Sequence, residues 1–266
     1  MAVTEPTPLL AVTALRYGPA GRALAAPLSF SLQFGHCLVL LGPNGAGKTS
    51  LLRTLIGSLP ALSGTIHWQG RSVGALAARQ LAATVAFAAP KTGDIQEFNV
   101  EQLVLMGRLG ARGVLAQPNA DDWRIVDQVI DRLGLSALRT RRVGSLSDGE
   151  RQLAALARAL AQQARALILD EPAASLDLGR QARLLEMVKS LVIEGQSVIL
   201  STHDPNHALA VADEVLLWDE PGRITWGKAE ELVEPSRLTA MYGEPVRWLR
   251  DADGGAGIVV GAVRRR

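Results

Sequence analysis

Cysteine is nearly absent from this chain. Cys37 is the single one among 266 residues, so an intrachain disulfide is impossible and a four-cysteine zinc site is excluded. One thiol is compatible with a reducing compartment, and cytosol is the default expectation. Nowhere do eighteen apolar residues run together, and the first fifteen residues carry Glu5, Pro6 and Pro8 without a basic start, so neither a spanning helix nor a signal peptide is expected. An excess of one charge is also missing. With 28 basic against 26 acidic residues the net charge is +2, too little for a nucleic-acid-binding stripe, and Arg264, Arg265 and Arg266 read as a solvated end. Internal repeats and low-complexity linkers are not found.

What is there suits an ordinary globular protein. Hydrophobic residues make up 48% of the chain, enough for one large α/β domain or a domain with a subdomain, without staples. Lysine is scarce, with four in all, and one of them stands in a telling place. Gly42-Pro43-Asn44-Gly45-Ala46-Gly47-Lys48-Thr49 lies between the apolar run Cys37 to Leu41 and a helical run, Ser50 to Ile56. Glycines let the backbone curl until its N–H groups point inward, and the following helix aims its positive end at the same spot. This is a phosphate-binding loop for a nucleoside triphosphate, with Lys48 reaching the β- and γ-phosphates and the Thr49 hydroxyl ligating Mg²⁺.

Strand signals occupy residues 9 to 16 and 28 to 41, then Thr65 to Gln69 and Thr84 to Ala88. From about Val100 apolar residues recur at spacings of three and four, through Leu103, Leu105 and Met106 to Trp123, Val126, Val129, Ile130 and Leu133, which predicts a helical insert. Buried parallel strands return at Ala166 to Leu169, Ser197 to Leu200 and Glu214 to Trp218, with a helix over Leu178 to Ile193. Such alternation predicts a mostly parallel sheet whose ligands gather where strands end, and a hairpin from Val246 to Leu249 and Ile258 to Val263 closes the chain.

Asp170 and Glu171 directly follow Ala166-Leu167-Ile168-Leu169, so a buried strand delivers two adjacent carboxylates to the edge where the phosphate loop sits. Asp170 is placed to hold Mg²⁺ with Thr49, and Glu171 to polarise a water for in-line attack on the γ-phosphate. A plain turn is the alternative reading of Asp-Glu-Pro. Leu146-Ser147-Asp148-Gly149-Glu150-Arg151-Gln152 precedes an amphipathic stretch, Leu153 to Ala161, and Ser147 with Glu150 makes a capping box.

With these motifs the chain resembles the ATP-binding-cassette ATPases, from Leu9 to about Pro235. Leu-Ser-Asp-Gly-Glu-Arg-Gln is similar to the family's signature loop, normally Leu-Ser-Gly-Gly-Gln, and stands at the usual distance between the two nucleotide motifs. The resemblance implies a P-loop α/β core with an N-terminal antiparallel β part, a helical signature subdomain and a short C-terminal hairpin. It implies a single cassette domain over 1–266, with the β core at 9–90 and 165–235, the helical part at 91–164 and the extension at 236–266. It implies ATP and Mg²⁺ as ligands, held by residues 42 to 50 including Ser50, and a head-to-tail homodimer in which Ser147, Asp148, Gly149 and Glu150 meet the partner's nucleotide. Tyr17 matches the aromatic that lies against adenine, although plain packing also explains it. Asp177 matches the loop that communicates across the dimer, although it can equally cap the next helix. His203 matches the switch histidine that senses γ-phosphate.

One position departs from the pattern. Where the family carries a glutamine after the Thr84 to Ala88 strand, this chain reads Ala89-Pro90-Lys91, with no glutamine before Gln96. Proline has no side-chain donor or acceptor, so the role is unfilled, taken by Lys91 or Gln96, or weaker. Within the family, the signature variant, the stretch Leu105-Met106-Gly107-Arg108 and the short terminal hairpin look like the importers of iron-siderophore, haem and cobalamin. The partners implied are a transmembrane permease and a separate solute-binding protein, with no nucleic acid, and the location is the cytoplasmic face of the membrane through the permease. The alternative is a soluble regulatory, assembly or nucleic-acid-related cassette with weak hydrolysis.

Overall fold

The computed structural model describes residues 7–88, 95–112, 117–220, 222–250 and 256–261. Three sheets organise them. The central one orders its strands β10 (Arg223–Lys228), β9 (Glu214–Glu220), β3 (Cys37–Leu41), β8 (Ser197–Thr202), β7 (Ala166–Asp170) and β6 (Val85–Ala88), parallel except for β10. A four-stranded antiparallel sheet runs β2 (Leu28–Leu32), β1 (Leu10–Arg16), β4 (Ser63–Trp68), β5 (Arg71–Ser72), and β11 (Val246–Arg250) pairs with β12 (Ala256–Val260) in the C-terminal hairpin.

Every residue of β3, β7 and β8 is buried, because helices or a second sheet cover both faces of the central sheet. Side chains alternate between two cores with the period of a strand. Leu38, Leu40, Ile168, Ile199 and Leu216 pack toward the antiparallel sheet and α1 (Lys48–Leu55). Val39, Leu41, Leu167, Leu169, Leu200 and Leu217 face the opposite core, which draws on α5 (Asp148–Ala161), α6 (Leu178–Ile193), α7 (Pro205–Val211), α8 (Ala229–Leu232), α9 (Pro235–Tyr242) and the hairpin.

A third core joins α3 (Val100–Arg112) and α4 (Ala120–Arg132) to α5 through Leu103, Val104, Ile125, Val126, Ile130 and Ala157. Arg108 clasps the three helices. Its guanidinium meets the buried carboxylate of Asp122 at 3.1 Å and donates to the Ala161 carbonyl at 2.8 Å. Asn119 and Asp122 exchange hydrogen bonds as the capping box of α4.

The elements differ from expectation in specific ways. Residues 28 to 41 break at a turn around Gly35 into β2 and β3, which join different sheets. Thr84 ends the short helix α2 (Ala78–Thr84) rather than starting β6. β10 extends the central sheet beyond the expected last strand. The α6 boundaries match the expected helix over Leu178 to Ile193.

Candidate functional site: a phosphate loop facing two carboxylates and a histidine

β3, β7 and β8 end side by side, and each delivers its functional residues to the same carboxyl edge. From β3 the loop Gly42 to Gly47 turns into α1. Gly47 caps that helix at φ +98, a left-handed conformation that favours glycine, and a β-carbon there would also press on the flexible end of the Leu24 side chain at 2.8 Å. Pro43, Asn44 and Gly45 are exposed, while Ala46, Thr49 and Ser50 are partly so. The first N–H groups of α1 lack intrahelical partners and carry its positive end toward the loop.

Lys48 curls back under this loop. Its ammonium donates to the Gly42 and Pro43 carbonyls at 2.7 and 3.1 Å and pairs with Glu171 Oε1 at 3.0 Å. Thr49 donates its hydroxyl to the Asp170 carboxylate, 2.8 Å to Oδ2 and 3.1 Å to Oδ1. Asp170 is buried at the end of β7. Glu171 follows at φ +48, a left-handed conformation that costs a non-glycine residue about 1–3 kcal/mol. Two neighbours hold it there. Gln152 of α5 donates to the Glu171 carbonyl at 2.6 Å, and Ser201 of β8 accepts the Glu171 N–H at 2.9 Å while donating to Asp170 Oδ1 at 2.7 Å. His203 Nδ1 stands 3.0 Å from Glu171 Oε2.

Lys48, Thr49, Asp170, Glu171 and His203 therefore meet as the sequence predicts. Ser201 and Gln152 are the functional neighbours that sequence reasoning missed. A polar residue closing an otherwise apolar buried strand was the available signal for Ser201; Gln152 stood inside the signature stretch without a role.

Tyr17 has no solvent exposure and packs in the core beneath the antiparallel sheet. A bulge at Ala14, φ +46, shifts the pairing of β1 with both neighbours. Leu10 and Val12 point inward before it, and Leu15 and Tyr17 after it, where unbroken alternation would have turned Tyr17 outward. Burial pushes the Tyr17 phenol pKa up.

The signature residues lie at the start of α5. Ser147 caps it by accepting the Glu150 N–H at 3.3 Å, and Glu150 returns a carboxylate to the Ser147 N–H and hydroxyl at 2.8 and 2.9 Å. These bonds hold the Glu150 pKa below the usual carboxylate range. Asp148 pairs with Arg151, and buried Gly149 lies against Ser175 and Leu176. Among the described residues, the Ser147 side chain hydrogen-bonds to Glu150 alone, so its own chain offers it no nucleotide-site partner. Asp177 caps α6 through the Arg180 N–H at 2.9 Å. Pro90 and Lys91 lie outside the described residues. Gln96 is exposed, and its carbonyl accepts the Gly144 N–H at 3.0 Å, just ahead of the signature stretch.

Residues 25–174 match the ABC transporter family. The chain belongs to that family. As an ABC ATPase it binds and hydrolyses ATP. The cassette is 33% identical over 264 residues to the hemin import ATP-binding protein HmuV of Rhodococcus jostii, covering 97% of this chain and 89% of that one. It is 31% identical to the molybdate import ATP-binding protein MolC of Haemophilus influenzae, over 86% of each. Among solved structures, a chain from an inward-facing transporter described as of metal-chelate type superposes with a TM-score of 0.82 at 28% identity, covering 95% of this cassette and 97% of that chain. Among the described residues, no helix of the cassette is long and apolar enough to cross a membrane.

Proposed function

We propose that this ABC ATPase drives an importer of iron-siderophore, haem or cobalamin-type cargo, docked on a separate permease at the cytoplasmic face of the membrane and supplied by a solute-binding protein. The observation that carries the catalytic part is the convergence of Lys48, Thr49, Asp170, Glu171 and His203 on one sheet edge. The haem relative and the metal-chelate transporter support the cargo class. The molybdate relative shows that similarity alone spans other cargoes.

In this reading the loop amides and Lys48 hold the ATP phosphates, and Glu171 accepts a proton from the attacking water. As that oxygen bonds to the γ-phosphorus, the bond to the bridging oxygen breaks, leaving ADP and phosphate. His203 orients Glu171 and meets the γ-phosphate. The hard oxygens of Thr49 and Asp170 suit Mg²⁺, with Ser201 fixing the carboxylate, and the ion would neutralise phosphate charge there. Ser147, Asp148, Gly149 and Glu150 are assigned to a second cassette's nucleotide, and Asp177 to communication between the two. The three cores support a single cassette domain with a helical part and a C-terminal extension.

Co-expression with a permease encoded beside this gene tests the reading. The expected result is a co-purified complex that, in proteoliposomes with its binding protein, takes up haem, a ferric siderophore or cobalamin when ATP is supplied, and does not when Glu171 is Gln. ATP-dependent uptake of a different cargo class would overturn the cargo assignment; a cassette that joins no permease would favour the regulatory alternative.

A further inference from the structure

The loop that carries His203 is gripped from the flank by the C-terminal segment. Tyr242, the last residue of α9, donates its hydroxyl to the His203 main-chain carbonyl. Asn206, three residues later, takes both main-chain groups of Ile258 in β12, donating to its carbonyl at 3.1 Å and accepting its N–H at 2.7 Å. The Asn206 amide also donates to Asp204 Oδ1 at 3.1 Å, the oxygen that caps α7. α9 is itself tied to the central sheet, where Arg237 meets Asp219 of β9 at 3.3 Å.

These contacts do not serve packing alone. Ile258 and Val246 already bury the hairpin in the core, and a hydrogen bond from a phenol to one particular carbonyl adds direction rather than apolar area. The loop has local bonds of its own, the Asp204 N–H to the Thr202 hydroxyl at 3.0 Å and the Asp204 cap of α7, and Tyr242 and Asn206 add ties to it from outside the segment. Burial first, and the nearby Asp204 carboxylate second, push the Tyr242 pKa up, so the phenol remains a donor across the working pH range.

We propose that Tyr242 and Asn206 are positioning residues, through which α9 and the C-terminal hairpin set His203 against Glu171. Both act through the segment of residues 203–206, Tyr242 at the His203 carbonyl and Asn206 at β12. The proposal rests on the reading of His203 as the residue that orients Glu171.

The test uses the full chain with Tyr242→Phe, which removes one oxygen, and Asn206→Ala, which removes the hold on β12. Turnover and the KM for ATP are measured beside ¹⁵N-histidine NMR, where the chain's four histidines give few signals and His203→Ala identifies the relevant one. Each variant is expected to lower kcat by about 3- to 10-fold, leave KM within about twofold and displace the His203 imidazole signal. Unchanged turnover in Tyr242→Phe overturns the proposal, as does slower turnover with an undisturbed His203 signal. If His203→Ala hydrolyses ATP at the wild-type rate, the underlying reading of His203 falls instead. That failure is distinguishable, because a displaced signal in Tyr242→Phe would still report the contact.

Discussion

Lys48 and Glu171 form an ion pair at 3.0 Å, and the other oxygen of the same carboxylate faces His203 at 3.0 Å. Both oxygens of the proposed base are thus engaged, one by the residue assigned to phosphate and the other by the residue assigned to sense it. Under the proposed roles a triphosphate would compete with Glu171 for the Lys48 charge, and drawing the lysine away would release Oε1 to take a proton. Substrate binding and activation of the base would then be one electrostatic event.

Replacing either member should therefore have opposite consequences. Glu171→Gln is expected to retain ATP, accumulate a closed dimer and lose about 10²- to 10⁴-fold in turnover, whereas Lys48→Ala is expected to lose ATP itself. Equilibrium binding beside steady-state hydrolysis separates the two. Normal hydrolysis by the glutamine variant would move the base elsewhere.

Ser147 has a structural duty at the start of α5, and its loss through Ser147→Ala should cost about 1 kcal/mol of stability. The contact assigned across a dimer predicts more than that. In a Glu171→Gln background, Ser147→Arg should abolish ATP-driven dimers on a sizing column while the melting temperature moves only slightly. Dimers that persist would confine the serine to its capping role.

At Gly107 α3 lies tight against α5, where an added β-carbon would stand 2.1 Å from the Arg158 carbonyl oxygen. Because that neighbour is main chain, Gly107→Ala must push the helices apart. A loss of about 1–3 kcal/mol is expected from the denaturant midpoint. An unchanged midpoint would mean that the pair separates without cost.

His207 lies behind the His203 loop, with Nδ1 3.0 Å from the Thr202 hydroxyl. Burial is the main force holding its pKa below the usual 6.5; His203 adds to the shift, while Asp204 and Glu171 oppose it. The folded state then binds this proton less readily than the unfolded chain. Its contribution to stability is complete above about pH 6.5 and is lost as pH falls through the lower folded value. Melting temperatures between pH 8 and pH 5.5 should decline less in His207→Gln than in the natural chain, and parallel declines would remove His207 as the cause.

The site was readable in the sequence because its residues sit at strand ends, where a buried apolar run followed by polar residues fixes both place and direction. Asp170 and Glu171 were found that way, Lys48 from the glycine-rich loop between a strand and a helix, and His203 from a strand end together with the family resemblance. The burial of Tyr17 was not legible, because a non-glycine bulge at Ala14 leaves no mark on the local pattern and yet reverses which face the residues after it occupy. The helices α7, α8 and α9, of seven, four and eight residues, are too short to show periodicity and are held by packing. β10 is largely exposed and so lacks the alternation of a half-buried strand. The Ala89-Pro90-Lys91 departure falls outside the described residues, so its effect on turnover is a matter for kinetics.

The bond between Asn206 and Ile258 also bears on how the protein is handled at the bench. Ile258, which Asn206 holds, lies only two residues before the end of β12 at Val260, so a fusion at the carboxyl end that displaced this strand would reach the His203 loop under the proposal above. Turnover of amino-terminal and carboxyl-terminal fusions, measured side by side, would test for that link without altering a single residue of the natural chain.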